Sequence, residues 1–253
     1  MTRPTVDESP ASTAASTAPA PRAKRGPYRR LPVEQRREQL IAVALELFSR
    51  HAPEEVSLDD VAAAAEASRP LVYRYFPGGK QQLYEAALKS AASELITRFV
   101  EPAEGTPTER LAHALDRYLS FVHEHGAGYG ALLRGGSAVE TQRTTAMVDE
   151  VRRAAFRSIV QHLEVTAAGP RLGLLIRSWI AVVEATALTA LDEGDIGEPE
   201  VLRDWLVDEF VAMFAVTALH DAQSADVLKR LLAHYDGAGP GAKLIEGLGG
   251  LLA

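Results

Sequence analysis

Residues 57–84 read SLDDVAAAAEASRPLVYRYFPGGKQQLY. Ser57-Leu58-Asp59-Asp60 has the form of a capping box, in which the serine hydroxyl accepts a bond from an orphan backbone N–H and Asp60 reaches back. Leu58, Val61, Ala62 and Ala65 follow at i, i+3, i+4 and i+7, the apolar edge of a short helix. Glu66-Ala67-Ser68 breaks it. Ser68 can cap a second helix, with Pro70 in its first turn, where N–H groups have no intrahelical partner. Val72 and Phe76, four apart, give this helix one buried edge, and Pro77-Gly78-Gly79 stops it. The opposite face offers Ser68, Arg69, Leu71, Tyr73, Arg74 and Tyr75. Helix, three-residue break, short helix is the helix-turn-helix layout, whose second helix can enter a DNA major groove about 12 Å wide. Arginine can fork onto guanine, tyrosine can bond phosphate, and Leu71 can touch a thymine methyl. Lys80 opens the next helix, whose N-terminal N–H groups also favour a phosphate.

Upstream, Leu40, Ile41, Ala44, Leu45, Leu47 and Phe48 form one helical stripe, ended by the HAPEEV stretch with Pro53. Before it, Arg22 to Arg37 holds six Arg and one Lys against Glu34, a net of +6. By itself this run, which includes Arg29 and Arg30, is either a solvated arm or an arm lying on phosphates. Residues 1–20 are mostly Ala, Pro, Ser and Thr and are expected to form a disordered tail. Downstream, a fourth helix is expected over about 80–99, then helices over 108–125, 127–135, 140–165, 170–193, 198–221 and 225–235. Thr106-Pro107-Thr108-Glu109 is a further start signal. Breaks fall at Gly126, Gly135-Gly136, Gly169-Pro170, Gly194 and Gly197, and the stretch from Gly237 is glycine-rich. No alternating strand pattern or internal repeat is visible, so the expected fold class is all-α.

The chain has 253 residues, 47% hydrophobic and 24% charged, enough to bury a core. Cysteine is absent, which excludes disulfides, thiol nucleophiles and Cys-ligated metals and fits a cytoplasmic location. The net charge of −7 excludes a uniformly basic nucleic-acid coat. Residues 1–95 nevertheless carry net +1 and residues 96–253 net −8, so one end suits a polyanion. The N-terminus has no apolar stretch for a signal peptide. Leu172–Leu191, interrupted by Arg177 and Glu184, reads as a buried helix rather than a membrane span. His123 and His125 lie two apart and point to different helix faces, so no metal site is expected there. No phosphate loop or nucleophile elbow is present; neither a cofactor nor an enzyme activity is expected.

Leu45-Glu46-Leu47-Phe48, Ser57 to Ala62, Ser68 to Phe76 and Lys80-Gln81-Gln82-Leu83-Tyr84 together resemble the DNA-binding domain of the TetR family of one-component transcriptional regulators. The resemblance covers residues 36–96, with the helix-turn-helix at 58–77. It leaves residues 1–35 as tail and arm, 97–235 as a helical ligand-binding and dimerisation domain, and 236–253 as a C-terminal tail. Two departures stand out. The turn usually holds Gly then an apolar residue; here it is Glu66-Ala67. Glutamate in a left-handed conformation is strained, so a different closure of the turn is expected. One extra residue separates Phe76 from Lys80, which is expected to shift the Lys80 phosphate contact.

The resemblance implies that Ser57 and Lys80 bind phosphates at helix N-termini, and that Tyr73 and Tyr75 bind backbone phosphates. It places Arg69, Pro70, Leu71 and Arg74 nearest the base edges, and Phe48, Val61, Val72 and Phe76 in the core. The arm with Arg29 and Arg30 would add phosphate or minor-groove contacts. It also implies a pocket for a small apolar or amphipathic ligand between the C-terminal helices. Tyr118, Phe121, His125, Tyr129, Phe156, Trp179 and Glu184 are the candidates, Trp179 and Glu184 foremost, against the alternative of ordinary bundle core. Helices 170–193 and 198–221 carry wide apolar faces: Leu172, Leu175, Trp179 and Val183 on one, Leu202, Trp205, Phe210, Met213 and Phe214 on the other. The family pairs these helices across a homodimer interface, and a two-fold dimer suits a pseudo-palindromic double-stranded operator. The implied function is a ligand-responsive homodimeric repressor. The alternative is an all-helical small-molecule binding protein whose helix-turn-helix is structural only.

Overall fold

The computed structural model describes residues 32–100, 104–134, 141–194 and 198–233, and then residues 237, 241–242 and 244–247. Residues 1–31, including Arg29 and Arg30, lie outside the described residues, as do Gly135-Gly136 and Gly197. The described chain holds α1 (Val33–Arg50), α2 (Leu58–Ala64), α3 (Arg69–Tyr75), α4 (Gly79–Arg98) and α5 (Pro107–Glu124). Then follow α6 (Gly126–Arg134), α7 (Gln142–His162), α8 (Pro170–Glu193), α9 (Pro199–Ala218) and α10 (Ala222–Ala233). No strand occurs among these residues.

Capping chemistry accounts for several boundaries. Asp60 and Ser57 form the reciprocal box read from the sequence, and Thr106 with Glu109 repeats it at α5. Asp221 accepts bonds from the backbone N–H and hydroxyl of Ser224, which starts α10 three residues before the expected position. Helix α1 starts at Val33, so Arg36 and Arg37 belong to a helix rather than to the arm. Arg36 is buried, and the Arg37 guanidinium lies 5.5 Å from the centroid of the Phe76 ring.

The turn between α2 and α3 corrects an expectation. Glu66 does adopt the left-handed conformation, with φ 49°. The Ala67 N–H donates to the Ala62 carbonyl and the Glu66 N–H to the Ala63 carbonyl, the two bonds of a Schellman motif. Closure of these bonds, with Ala65 fully buried beside them, holds glutamate where glycine would sit without strain. The added linker residue is absorbed at Gly79, φ 67°, which opens α4.

Two apolar cores result. Leu40, Ala44, Phe48, Val61, Val72, Phe76 and Leu83 fill the first. Leu115, Leu172, Ile176, Leu206, Val207 and Phe214 are central to the second. Helix α4 joins them: Leu83, Tyr84 and Ala87 enter the first, Ala91 and Leu95 the second. By length and composition α8 could cross a membrane, but Leu172, Ile176, Trp179, Val183 and Ala187 pack it into the second core. Leu172, Leu175, Trp179, Val183, Phe210 and Phe214, expected to need a partner subunit, are covered within one chain. The large apolar side chains left bare on α8 and α9 are Leu174, Val201, Trp205, Val216 and the adjoining Leu219, of which only Trp205 was named on the apolar faces read from the sequence.

Helix α6 presses Gly128 onto the end of α1. A Cβ there would lie 2.4 Å from the Phe48 carbonyl oxygen, which only glycine avoids. Gly128→Ala should force the α1–α6 seam apart and lower stability by about 1–3 kcal/mol; an unchanged urea midpoint would refute that packing. Glu66→Gly should act oppositely, raising stability by about 0.5–1 kcal/mol as backbone strain is relieved. A lower melting temperature would show that Glu66 is not strained.

Candidate functional site

The exposed surface of α3 comes from a seven-residue helix held by two side chains, Val72 and Phe76, both fully buried. Ser68 caps it, its hydroxyl accepting from the Leu71 N–H at 3.3 Å. The helical period then turns Arg69, Pro70, Tyr73 and Arg74 outward, while Leu71 and Tyr75 are half-buried. Arg69 is anchored: it pairs with Asp59 of α2 at 2.7 Å and its guanidinium lies 5.8 Å from the Tyr73 ring centroid. Arg74 has no such anchor among the described residues.

The other two phosphate candidates are engaged. The Ser57 hydroxyl donates to Asp60 at 2.6 Å while accepting from its backbone N–H. The two bonds that Ser57 donates hold the Asp60 carboxyl below its ordinary pKa. Lys80 Nζ donates to the Glu54 carbonyl at 3.0 Å, so in this structure it closes the α1–α2 loop.

The second site is a cavity of about 230 Å³ inside the C-terminal bundle. Tyr118, Phe121, His125, Trp179 and Glu184 all line it, brought together from α5 and α8. Phe48 of α1 and Tyr84 of α4, edge to face at 5.0 Å, also line it, so the cavity abuts the first core directly. The polar groups are few. The Tyr118 and Tyr129 hydroxyls are hydrogen-bonded to each other, and burial pushes both phenols up. Glu184 is held by Arg152 of α7 through Nε at 2.9 Å and Nη2 at 2.9 Å. Trp179 Nε1 donates to the Leu206 carbonyl at 3.0 Å, leaving its ring as apolar wall. Both His125 ring nitrogens are buried without a hydrogen-bond partner among the described residues, and burial lowers the ring's pKa.

Tyr129 lines the cavity too, whereas Phe156 does not and instead packs under the Arg177 guanidinium, 4.5 Å from its ring centroid. Arg152 and Arg110 also line the cavity and were not among the sequence candidates. Arg152 lies 32 positions from Glu184 with no local pattern linking them. Glu94, Glu124 and His125 offer ligand atoms within 4.8 Å of one another. Arg98 bonds both carboxylates and so supplies the positive charge that a cation would bring.

Residues 40–87 match the family model "Bacterial regulatory proteins, tetR family", and residues 107–213 match "Tetracyclin repressor-like, C-terminal domain". A TetR-family regulator from Streptomyces coelicolor is 49% identical, with TM-score 0.81, over 87% of this chain and 99% of that one. The activator FasR of Mycolicibacterium smegmatis is 31% identical over 116 residues, 45% of this chain and 52% of the relative, so the matched stretch spans about half that protein. Bacillus subtilis FadR, solved with stearoyl-CoA, shares the fold at 16% identity, with TM-score 0.58 over 70% of this chain and 98% of that one. Both halves of the described chain are thus accounted for by one lineage: the protein belongs to the TetR family of bacterial transcriptional regulators.

Proposed function

We propose that the chain acts in the cytoplasm as a ligand-responsive homodimeric repressor of a pseudo-palindromic operator. The observation that carries this reading is the division of α3 into a fully buried edge, Val72 and Phe76, and a solvent face bearing Arg69, Pro70, Tyr73 and Arg74. Arg74 reads base edges; Arg69, fixed by Asp59, sets the register; Tyr73 and Tyr75 bond phosphates. Ser68 and Leu71 border the same groove. Lys80 and Ser57 reach phosphates only by exchanging their present partners, and the arm with Arg29 and Arg30 adds nonspecific affinity.

Two half-sites about 34 Å apart require two copies. The bare side chains Leu174, Val201, Trp205, Val216 and Leu219 supply an apolar surface for α8–α9 to pair about a two-fold axis. A small apolar or amphipathic ligand occupies the interior cavity against Tyr118, Phe121, His125, Trp179 and Glu184. Because Phe48 and Tyr84 share that wall, a ligand that prefers one packing of α1 and α4 biases the spacing of the two α3 helices. A fold relative solved with stearoyl-CoA is compatible with an apolar ligand here.

Arg74→Ala should weaken specific operator binding by about 1–3 kcal/mol and relax base preference, read by fluorescence anisotropy on an operator and its point variants. Unaltered selectivity would remove Arg74 from base reading. Trp205→Glu should convert a species of twice 27.3 kDa into one of 27.3 kDa by sedimentation, with loss of operator affinity. A variant that remains dimeric would place the interface elsewhere.

A further inference from the structure

Two arginines line the interior cavity, and they stand in opposite states. Arg152 is closed by three bonds to Glu184, from Nε and Nη2, and a fourth from Nη1 to Asp149. Arg110, in the first turns of α5, has no carboxylate partner among the described residues. Its Nη1 donates to the Gly105 carbonyl at 3.3 Å, and its Nε is buried with no hydrogen-bond partner among the described residues. The adjacent carboxylate does not help. Glu109 is taken up by the capping box, accepting from the Thr106 N–H at 2.7 Å and the Thr106 hydroxyl at 2.9 Å. Successive helix positions also face different ways. A buried guanidinium N–H left unmade is costly, and a carboxylate is the group that best satisfies it.

From Arg110 the cavity wall runs along one stripe of α5. Leu111, Leu115, Tyr118, Phe121 and His125 recur at three- and four-residue spacing and all line it. At 1.5 Å per residue, Arg110 and Tyr118 are about 12 Å apart along the axis, with apolar side chains between. The far end offers no open charge: Arg152 and Glu184 neutralise each other and Tyr118 is bonded to Tyr129. An anion entering by that end would find no cation, whereas one at Arg110 finds an unsatisfied one.

We propose that the cavity takes an amphipathic carboxylate, its head on the Arg110 guanidinium and its apolar chain laid along α5 toward Phe121. This rests on the ligand-binding reading above and assigns the ligand's class and direction. The head meets a guanidinium that is only partly buried, so the anion keeps some water while its chain is enclosed.

Calorimetric titration of the full chain with decanoic acid and with methyl decanoate tests it. The acid should bind about tenfold or more tightly than the ester, the difference expected of one charge-assisted hydrogen bond. Arg110→Gln should bring the acid down to the ester's level while leaving ester binding unchanged, which also shows that the variant folds. Arg110→Lys should restore part of the preference. Equal binding of acid and ester by the natural protein, or an acid preference that survives Arg110→Gln, overturns the assignment and leaves the cavity a ligand site. Binding of neither probe overturns the assignment and the ligand-binding reading together.

Discussion

A seven-residue helix has no stability of its own; isolated helices shorter than about 12–15 residues are marginal in water. Helix α3 exists because Val72 and Phe76 are driven fully into the first core, which also takes in Leu40, Ala44 and Phe48 of α1. That burial sets the rotation of the helix about its axis. Arg69, Tyr73 and Arg74 face outward because the positions between them are committed inward. Any change that loosened Phe76 would therefore alter which side chains α3 presents as well as the stability of the domain.

The same core is tied to the rest of the molecule in two places. Helix α4 runs unbroken from Leu83 in the first core to Leu95 in the second. Gly128 brings α6 onto the Phe48 carbonyl, closer than any side chain allows. Phe48 thus belongs to the first core, to the α1–α6 seam and to the wall of the cavity. Tightly packed interiors shift between discrete arrangements rather than deforming smoothly. A molecule seated between Phe48 and Trp179 would act on that seam directly, which is the physical content of the regulatory mechanism proposed here.

Electrostatics divide the arginines by partner. Arg69, Arg98 and Arg152 are matched to carboxylates and work as struts between elements: α3 to α2, α4 to α5, and α7 to α8. Arg74 on the surface and Arg110 in the cavity wall lack such partners among the described residues. A guanidinium without a carboxylate is the group most able to take an external acceptor, a base edge at Arg74 or a ligand head at Arg110.

Much of the local structure was legible in the residue string. The boxes at Ser57 and Thr106, the Ser68 cap and the buried pair Val72 and Phe76 depend on neighbours within a few positions, and helix boundaries followed to within three residues. Six cavity residues were also legible, because aromatic and polar side chains on apolar helical stripes point inward together; Phe156, read the same way, does not line it. The Glu66 turn was misread because the bonds holding its strain belong to Ala62 and Ala63, outside the turn residues. The Arg152–Glu184 pair, the lack of a carboxylate partner for Arg110 among the described residues and the bare face of α8 and α9 had no local signature. Periodicity says that a helix has an apolar side; which apolar residues a neighbouring helix covers depends on crossing angles and distances. Sequence by itself determined the helices, their caps and the face α3 turns to solvent, since these arise from contacts within a turn or two. Tertiary structure alone decided which charges are paired and which apolar surface stays open, since those contacts join residues tens of positions apart.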